Sequence, residues 1–355
     1  MDAKLHVLQV GPSVSIQDQG RPGHLRFGVT SSGVMDRTSF AIANAALDNP
    51  PSYPVLEISL GGVTLNCLEG SLSMAIVGGN FFVLLNDNTL PPWSIFTINA
   101  GDTLTVRPGK WGSWCYLAVA GRLDTNCWLD SYSVHLMSGV CGTAVQQNDV
   151  LHITTAQKNT SEINSLGDPD LLLPVSTIRA VVGPQERYFA PETLAKLFSS
   201  TFTISADYDR MGMRLSGCKL PITAALDMPS EPITRGSLQV PGHGDPICLL
   251  ADHHTAGGYP KIATIVSADL DGLSQHRTGQ SIAFEPLTPK EAVQAARDWR
   301  VKTNQILDHI ILNRSGLAAR LWNNNLISGA STEGVTPEEL TTENLANCKT
   351  DNQPD

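Results

Sequence analysis

The chain is short of positive charge. Lys and Arg together number 24 against 34 Asp and Glu, which leaves a net charge of -10 over 355 residues. A surface of that sign disfavours general binding to nucleic acid or to anionic membranes. Long apolar runs are also missing: none approaches the roughly 20 residues that a membrane-spanning helix needs. The opening Met1-Asp2-Ala3-Lys4-Leu5-His6 lacks the charged-then-apolar pattern of a secretory signal, so a cytoplasmic location is expected. The seven cysteines are scattered, odd in number and contain no C-x-x-C pair. Several lie in apolar runs such as Trp114-Cys115-Tyr116-Leu117, and they read as reduced core thiols, not as a disulfide framework or a zinc site. The P-loop pattern G-x-x-x-x-G-K-[ST] and the G-x-S-x-G elbow of serine hydrolases are both absent.

What is present is a series of short strand-like runs. Leu5–Val10, Val55–Leu60, Ser73–Val77, Phe81–Leu85, Ser94–Ile98, Thr103–Val106, Trp114–Val119 and Val150–Thr154 are separated by turn residues such as Asn86-Asp87-Asn88 and Pro108-Gly109. This spacing predicts a barrel or sandwich. A helix is expected around Asp36–Leu47, with Asp36 as its N-cap. A polar stretch beginning at Gln157 reads as a linker that reaches Pro174. Strands resume at Thr177–Val182, Thr201–Ser205, Ile247–Leu250, Ile262–Ser267 and Ser281–Phe284, with a helix opening at Pro191. Thr288-Pro289-Lys290-Glu291 is a capping box that opens a helix to about Val301. The Asn-, Thr-, Ser- and Glu-rich stretch from about Asn323 is expected to be disordered.

The segment richest in chemistry is Ala251-Asp252-His253-His254-Thr255-Ala256-Gly257-Gly258-Tyr259-Pro260-Lys261-Ile262. It sets an acid, two imidazoles, a Gly-Gly turn, a Tyr and a Lys between two apolar strands. Strands of this kind hold a polar turn rigidly enough for binding or catalysis. On a strand, His253 and His254 would point to opposite faces, which argues against a joint metal site; no metal site is expected. Asp252 and His254 would then share a face.

Several motifs carry a resemblance. Ser15-Ile16-Gln17-Asp18-Gln19-Gly20-Arg21-Pro22-Gly23 is similar to the T-I-Q-D-x-G-R-x-G opening of the allophanate hydrolase subunit 2 family, which includes the C component of 5-oxoprolinase and the A and B subdomains of biotin-dependent carboxyltransferases. Further matches run in family order: Ser32-Gly33-Val34-Met35-Asp36, Leu56-Glu57-Ile58, Gly183-Pro184-Gln185, Asp209-Arg210-Met211-Gly212 with Arg214-Leu215, Gly236-Ser237-Leu238-Gln239-Val240-Pro241, and the 251–262 segment. The family's D-R-Q-T reads Asp252-His253-His254-Thr255 here, and its G-S-R-S-T reads Asp130-Ser131-Tyr132-Ser133-Val134.

The resemblance implies a mainly β fold of two cyclophilin-like β-barrel domains with a few short helices. It places an N-terminal carboxyltransferase-type subdomain at 1–165, a cyclophilin-like barrel at 175–302 and a helical, then disordered, tail at 303–355. It also implies an enzyme subunit that is inactive alone, the C component of an ATP-dependent 5-oxoprolinase, with B-like (carboxyltransferase subdomain C/D-type) and A-like partner subunits. No cofactor is expected on this chain: ATP with Mg would sit on a partner. Two alternatives remain, a carboxyltransferase component for urea or another amide with biotin supplied in trans, and a regulatory module that antagonises a histidine-kinase inhibitor.

A small amide substrate needs donors on its carbonyl oxygen and a base or charge near its nitrogen. Asp252, Lys261 and Arg210 are the catalytic candidates. Lys261 reads either as a ligand contact or as an ion pair with Asp252. Arg210 reads either as a carboxylate clamp or as a buried pair with Asp207 or Asp209. Gln239, Gly257, Gly258, Tyr259, His254, Ser230 and Arg21 are the substrate-binding candidates. Each has a plainer reading as turn, core or solvated loop. Gln17, Asp18 and Arg21 in particular either face a ligand or partner, or hold their own turn together.

Overall fold

Alternation along two strands decides the architecture. In Ser71–Val77 and Cys115–Val119, the side chains of Met74, Ile76, Cys115, Leu117 and Val119 enter one buried cluster. Their neighbours Ala75, Val77, Tyr116 and Ala118 enter another. A sheet whose two faces are both buried reads as a continuous apolar run, as these strands do. The computed structural model describes residues 2–159, 163–167, 169–183, 185–223 and 228–314.

The first half of the chain makes two sheets. Arg122–Leu123, Val150–Thr154, Ala3–Val10, Val63–Glu69, Thr103–Arg107, Phe82–Leu85 and Asn88–Leu90 lie side by side in that order. Asn164–Ser165, Ser94–Asn99, Ser71–Val77, Cys115–Val119, Val55–Ile58 and Ser15–Gln17 form the second. The two share one core, built from Leu5, Val7, Leu65, Ile76, Phe96 and Leu117 among others. In the second half, Thr177–Val182, Lys261–Ile265, Ser237–Gln239, Ile247–Leu249, Gly212–Gly217, Thr201–Tyr208 and Ser281–Pro286 close into a seven-stranded barrel. Closure comes from Thr177–Val182 running parallel to Ser281–Pro286. Inside it the Phe202 and Phe284 rings lie 5.6 Å apart. The fold is mainly β, as expected.

Helices are few. Helix α1 (Arg37–Ala46) lies over the outer face of Ser71–Val77 and Cys115–Val119. Its N-cap is Asp36, whose carboxylate accepts from Ser39 N at 2.9 Å and Ser39 Oγ at 2.7 Å. Helix α2 (Pro191–Ser199) opens on its proline and packs on Ser281–Pro286. Helix α3 (Leu270–Ser274) is one short turn. Helix α4 (Pro289–Arg314) starts at the expected capping box and runs on past Val301, through the boundary placed at 302. The continuation has a partner: α4 packs on α1, with Thr303 and Ile310 buried. Among the described residues no helix is long and apolar enough to cross a membrane. The tail expected to be disordered from about Asn323 lies outside the described residues. Within the expected linker, Asn164–Ser165 pairs with Ile95 and Ser94 as an edge strand.

Polar contacts join the two halves. Period-two alternation puts Leu56 and Ile58 into the inner core and turns Glu57 to the opposite face, directly across from Tyr116. There Glu57 Oε2 accepts from Met35 N at 2.7 Å and from Tyr116 Oη at 2.9 Å, and Tyr116 Oη accepts from Asp36 N at 2.7 Å. Glu57 Oε1 accepts from Arg210 Nη1, which the barrel supplies. The Arg210 Nε and Nη2 grip Asp252 at 2.8 and 3.0 Å, and Nη2 also donates to Gly33 O at 2.7 Å. Gly33 is needed there: its φ is +90°, and a Cβ would meet Gln19 O at 2.9 Å. Burial alone would lower the Arg210 pKa; the Asp252 and Glu57 carboxylates overcome that and raise it. Arg210 therefore stays charged.

A second cluster lies beside it. Gln275 Nε2 donates to Asp36 at 2.8 Å and to Trp114 O at 3.0 Å, while its Oε1 accepts from Ser113 N and Trp114 N at 2.9 and 3.0 Å. Asp271 accepts from Arg37 Nε at 2.8 Å and Thr38 Oγ1 at 2.9 Å. Burial, and then the Asp271 charge, push the Asp36 carboxyl up to about 6.

Arg210→Ala would leave two buried carboxylates without their cation. We expect a loss of about 3–5 kcal/mol in urea unfolding, the usual result of breaking one side of a buried pair. Asp36 gives a pH signature of defined sign. The unfolded carboxyl releases its proton near pH 3.8 and the folded one near 6. Between those values the folded state binds more protons, so this group makes stability fall as pH rises. The Tm of Asp36→Asn relative to the parent should therefore climb from pH 4 to pH 6, as read by calorimetry; a flat difference would contradict the assignment.

Candidate functional site

Three barrel strands present a row of outward side chains. Cross-strand pairing aligns Arg214 with Ile247 and Ile247 with Gln239; Gly212 pairs with Leu249 one step along. Met213 and Leu215 fill the barrel, so Arg214 between them faces out. This row floors a groove of about 610 Å³. One wall is the 206–211 segment, the end of the strand Thr201–Tyr208 and the bend after it; the other is His253-His254 with Gly258-Tyr259. The first wall is pinned by Asp209, whose Oδ1 accepts from Met211 N at 2.8 Å and Gly212 N at 3.1 Å. The second is anchored at its root by the Asp252–Arg210 pair. A groove built on strands and bounded by braced turns can hold a ligand in one orientation.

The chemistry of the groove is mixed. Arg214 Nε lies 3.3 Å from Asp207 Oδ2, and its Nη1 lies 3.3 Å from His243 Nε2. Asp207 is 76 % exposed, so an incoming carboxylate can take its place on the guanidinium at small penalty. Gln239 carries both an amide donor and an amide acceptor at the far end of the row. His254 and Tyr259 are exposed on the second wall, with Tyr259 at 44 %.

The structure brings together four of the sequence candidates here: Gln239, Gly258, Tyr259 and His254. It puts the others elsewhere. Arg210 and Asp252 are buried and bound to each other, not to Asp207, Asp209 or His254. The strand face expected to be shared by Asp252 and His254 is thereby corrected: residues 251–254 lie outside any strand, so alternation does not apply. His253 turns inward, its Nδ1 2.6 Å from His254 O, and burial lowers its pKa. Lys261 lies behind the second wall, under a small ribbon in which Glu231–Pro232 pairs with Ala256–Gly257. Its Nζ donates to Pro232 O at 3.2 Å and lies 3.9 Å from Glu231, not beside Asp252. Burial lowers its pKa and Glu231 offsets part of that. Gly257 belongs to this ribbon, and Ser230 is exposed at its edge.

In the N-terminal loop, Asp18 accepts from Gly20 N, Ser131 Oγ, Tyr132 N and Ser133 Oγ at 2.6–2.8 Å. It ties two loops of the first half together. Arg21 lines a separate cavity on the other side of His253. Sequence reasoning gave no ligand role to Arg214 or Asp207 and no bridging role to Glu57. Arg214 and Glu57 share one local signal, a charged residue between two apolar ones (Met213 and Leu215, Leu56 and Ile58); Asp207 has none. Among the described residues no cluster suited to a metal ion is found.

Residues 27–286 match the family described as carboxyltransferase domain, subdomain A and B. The C component of 5-oxoprolinase from Haemophilus influenzae is 32 % identical over 305 residues, which cover 85 % of this chain and 97 % of that protein. The protein of the same name from Escherichia coli is 32 % identical, covering 83 % and 94 %. The urea amidolyase of Saccharomyces cerevisiae is 29 % identical over 82 % of this chain and 17 % of its own length. Among solved structures, that of TTHA0988 has a TM-score of 0.71 at 33 % identity, covering 80 % of this chain and 55 % of that one. The Kluyveromyces lactis urea amidolyase has a TM-score of 0.76 at 26 % identity, covering 85 % and 20 %. The chain thus spans about half the length of the first of these structures and a fifth of the second. Family-ordered motifs, a closed seven-stranded barrel and a match over most of the chain agree: the chain belongs to the carboxyltransferase family of subdomains A and B.

Proposed function

We propose that the chain is the C component of an ATP-dependent 5-oxoprolinase, which opens 5-oxo-L-proline to L-glutamate together with partner subunits. The observation that carries this reading is the match to two 5-oxoprolinase C components over 97 % and 94 % of their lengths. The groove suits the substrate. Arg214 can hold its carboxylate, and Gln239 can donate to the lactam oxygen or accept from the lactam N–H. Phosphoryl transfer from ATP to that oxygen makes it a leaving group. Water then adds to the ring carbonyl carbon, the C–N bond breaks and the nitrogen takes a proton, which leaves an acyl phosphate that a second water hydrolyses to the free carboxylate and phosphate. His254 presents an exposed imidazole on the groove wall. Asp252 and Arg210 position this wall, and Lys261 supports the ribbon behind it. ATP with Mg belongs on a partner of the A or B kind, since the sequence carries no P-loop, and the complex is cytoplasmic.

A second reading is a component for biotin-dependent carboxylation of urea. The similarity to urea amidolyase and to a putative urea carboxylase, at 29 % and 33 % identity, favours it. Urea has no carboxylate, so that substrate would leave Arg214 on Asp207. Co-expression with candidate A-like and B-like partners separates the readings. Glutamate release that needs ATP and survives biotin sequestration is the expected result; bicarbonate-dependent loss of urea with no glutamate from any partner set would overturn it. In the active complex, Arg214→Ala should raise the KM for 5-oxo-L-proline about tenfold or more, the effect of losing one charged hydrogen-bonded contact. Complex assembly, followed by size-exclusion chromatography, should be unchanged.

A further inference from the structure

The floor of the groove has an apolar centre between two polar ends. Arg214 stands directly across from Ile247, and Ile247 directly across from Gln239, so these side chains follow one another over adjacent strands. The alternating row of Met213, Cys248 and Leu238 is buried inside the barrel, which turns Arg214, Ile247 and Gln239 outward. Arg214 and Gln239 are two strand spacings apart, about 9.5 Å between backbones. A ligand that reaches both must lie across Ile247.

Gly212 deepens the floor beside it. It pairs with Leu249 and contributes no side chain of its own. A Cβ at Gly212 would meet Ile247 Cγ2 at 3.2 Å and Leu249 Cδ2 at 3.7 Å. The two branched side chains therefore border a dent over bare backbone, and all three residues line the groove. The polar side chains stand around this dent: Arg214 at one end, Gln239 at the other, His254 and Tyr259 on the wall. Apolar lining of this kind withdraws ligand methylenes from water, which is worth about fourfold in affinity for each one fully covered. An N–H or hydroxyl laid on the same surface loses its water and gains no partner.

We propose that Ile247, with Leu249 and Gly212 beside it, seats the methylene edge of the lactam ring and so sets which ring the site accepts. This rests on the reading of the groove as the site for 5-oxo-L-proline. With the carboxylate on Arg214 and the lactam amide on Gln239, the ring methylenes are the part of the substrate that needs no polar partner, and the dent is the part of the floor that offers none. The bulk of residue 247 then limits ring size, and its apolar character disfavours a ring with a polar atom on that edge. Urea has no such edge and gains nothing from the dent.

The test uses the active complex assembled with A-like and B-like partners and reads competitive inhibition of 5-oxo-L-proline turnover by two analogues. One is 6-oxopiperidine-2-carboxylate, whose ring has one more methylene. The other is 2-oxoimidazolidine-4-carboxylate, in which an N–H replaces the methylene beside the carbonyl. Selectivity is the ratio of the KM for 5-oxo-L-proline to the Ki of the analogue, and it does not depend on how much of a variant is folded or assembled. Ile247→Ala should raise that KM about fivefold to tenfold and change kcat by less than about twofold, since the contact is the same in ground and transition states. Its selectivity should shift about tenfold toward the larger ring. Ile247→Val should shift it the same way by about threefold. Ile247→Thr matches Ile247→Val in shape, so the pair isolates polarity: Ile247→Thr should favour the N–H ring about fivefold more than Ile247→Val does. Normal turnover with unchanged ring-size selectivity in both Ile247→Ala and Ile247→Val would overturn the inference and leave the reading of the groove in place, as would equal selectivity for the N–H ring in Ile247→Thr and Ile247→Val. No turnover of 5-oxo-L-proline with any partner set would overturn that reading and this inference with it.

Discussion

The structure depends on one buried cation. Arg210 leaves the barrel, crosses the seam, and meets a carboxylate from each half: Glu57 on the sheet and Asp252 on the barrel's own turn. A lone guanidinium at that depth would be strongly unfavourable, and so would either acid. Together, with the Gly33 carbonyl, the Met35 amide and the Tyr116 hydroxyl, they satisfy one another. Directional bonds of this kind fix the relative placement of two surfaces more narrowly than apolar contact does. The orientation of the halves and the position of the 252–259 wall follow from the same few atoms.

That arrangement changes what the family motifs mean. Ser32–Asp36, Leu56–Ile58, Asp209–Gly212 and the Asp252 corner look in sequence like the parts of an active site. In space most of their polar groups face each other across the seam. The side chains that line the groove, Arg214, Gln239, His254 and Tyr259, come from the later motifs, on the side turned away from the seam. His253 and His254, where this chain departs from D-R-Q-T, stand on the partition between the groove and the cavity that Arg21 lines.

Much of the fold was legible. Val150–Thr154 and Thr177–Val182 fall where alternation put them, and Asp36 and Thr288 cap the helices they were expected to cap. Val63–Glu69 and Gly212–Gly217 were not foreseen. Both carry polar residues such as Asn66 and Arg214 on exposed faces, and a glycine opens one of them, which weakens a propensity reading. The length of α4 was also hidden. Its extension past Val301 depends on packing against α1, a contact between segments some 250 residues apart that no local pattern encodes. Four of the residues named from the sequence, Gln239, His254, Gly258 and Tyr259, line the groove. Asp252 was misplaced because strand geometry was assumed for a turn, and the role of Glu57 could not be seen, since it requires a barrel formed by the other half of the chain.

The strand Cys115–Val119 is a party wall: each face completes a different core. A module with such a wall cannot be recombined freely. A recombination event that transplanted the barrel without the six-stranded sheet would leave Glu57 without its cation on one piece and strand Arg210 on the other. Selection can therefore lengthen the polypeptide at its ends, but it inherits this pair of halves as a single block. The much longer urea amidolyase of Kluyveromyces lactis fits that pattern, since one fifth of it superimposes on 85 % of this chain.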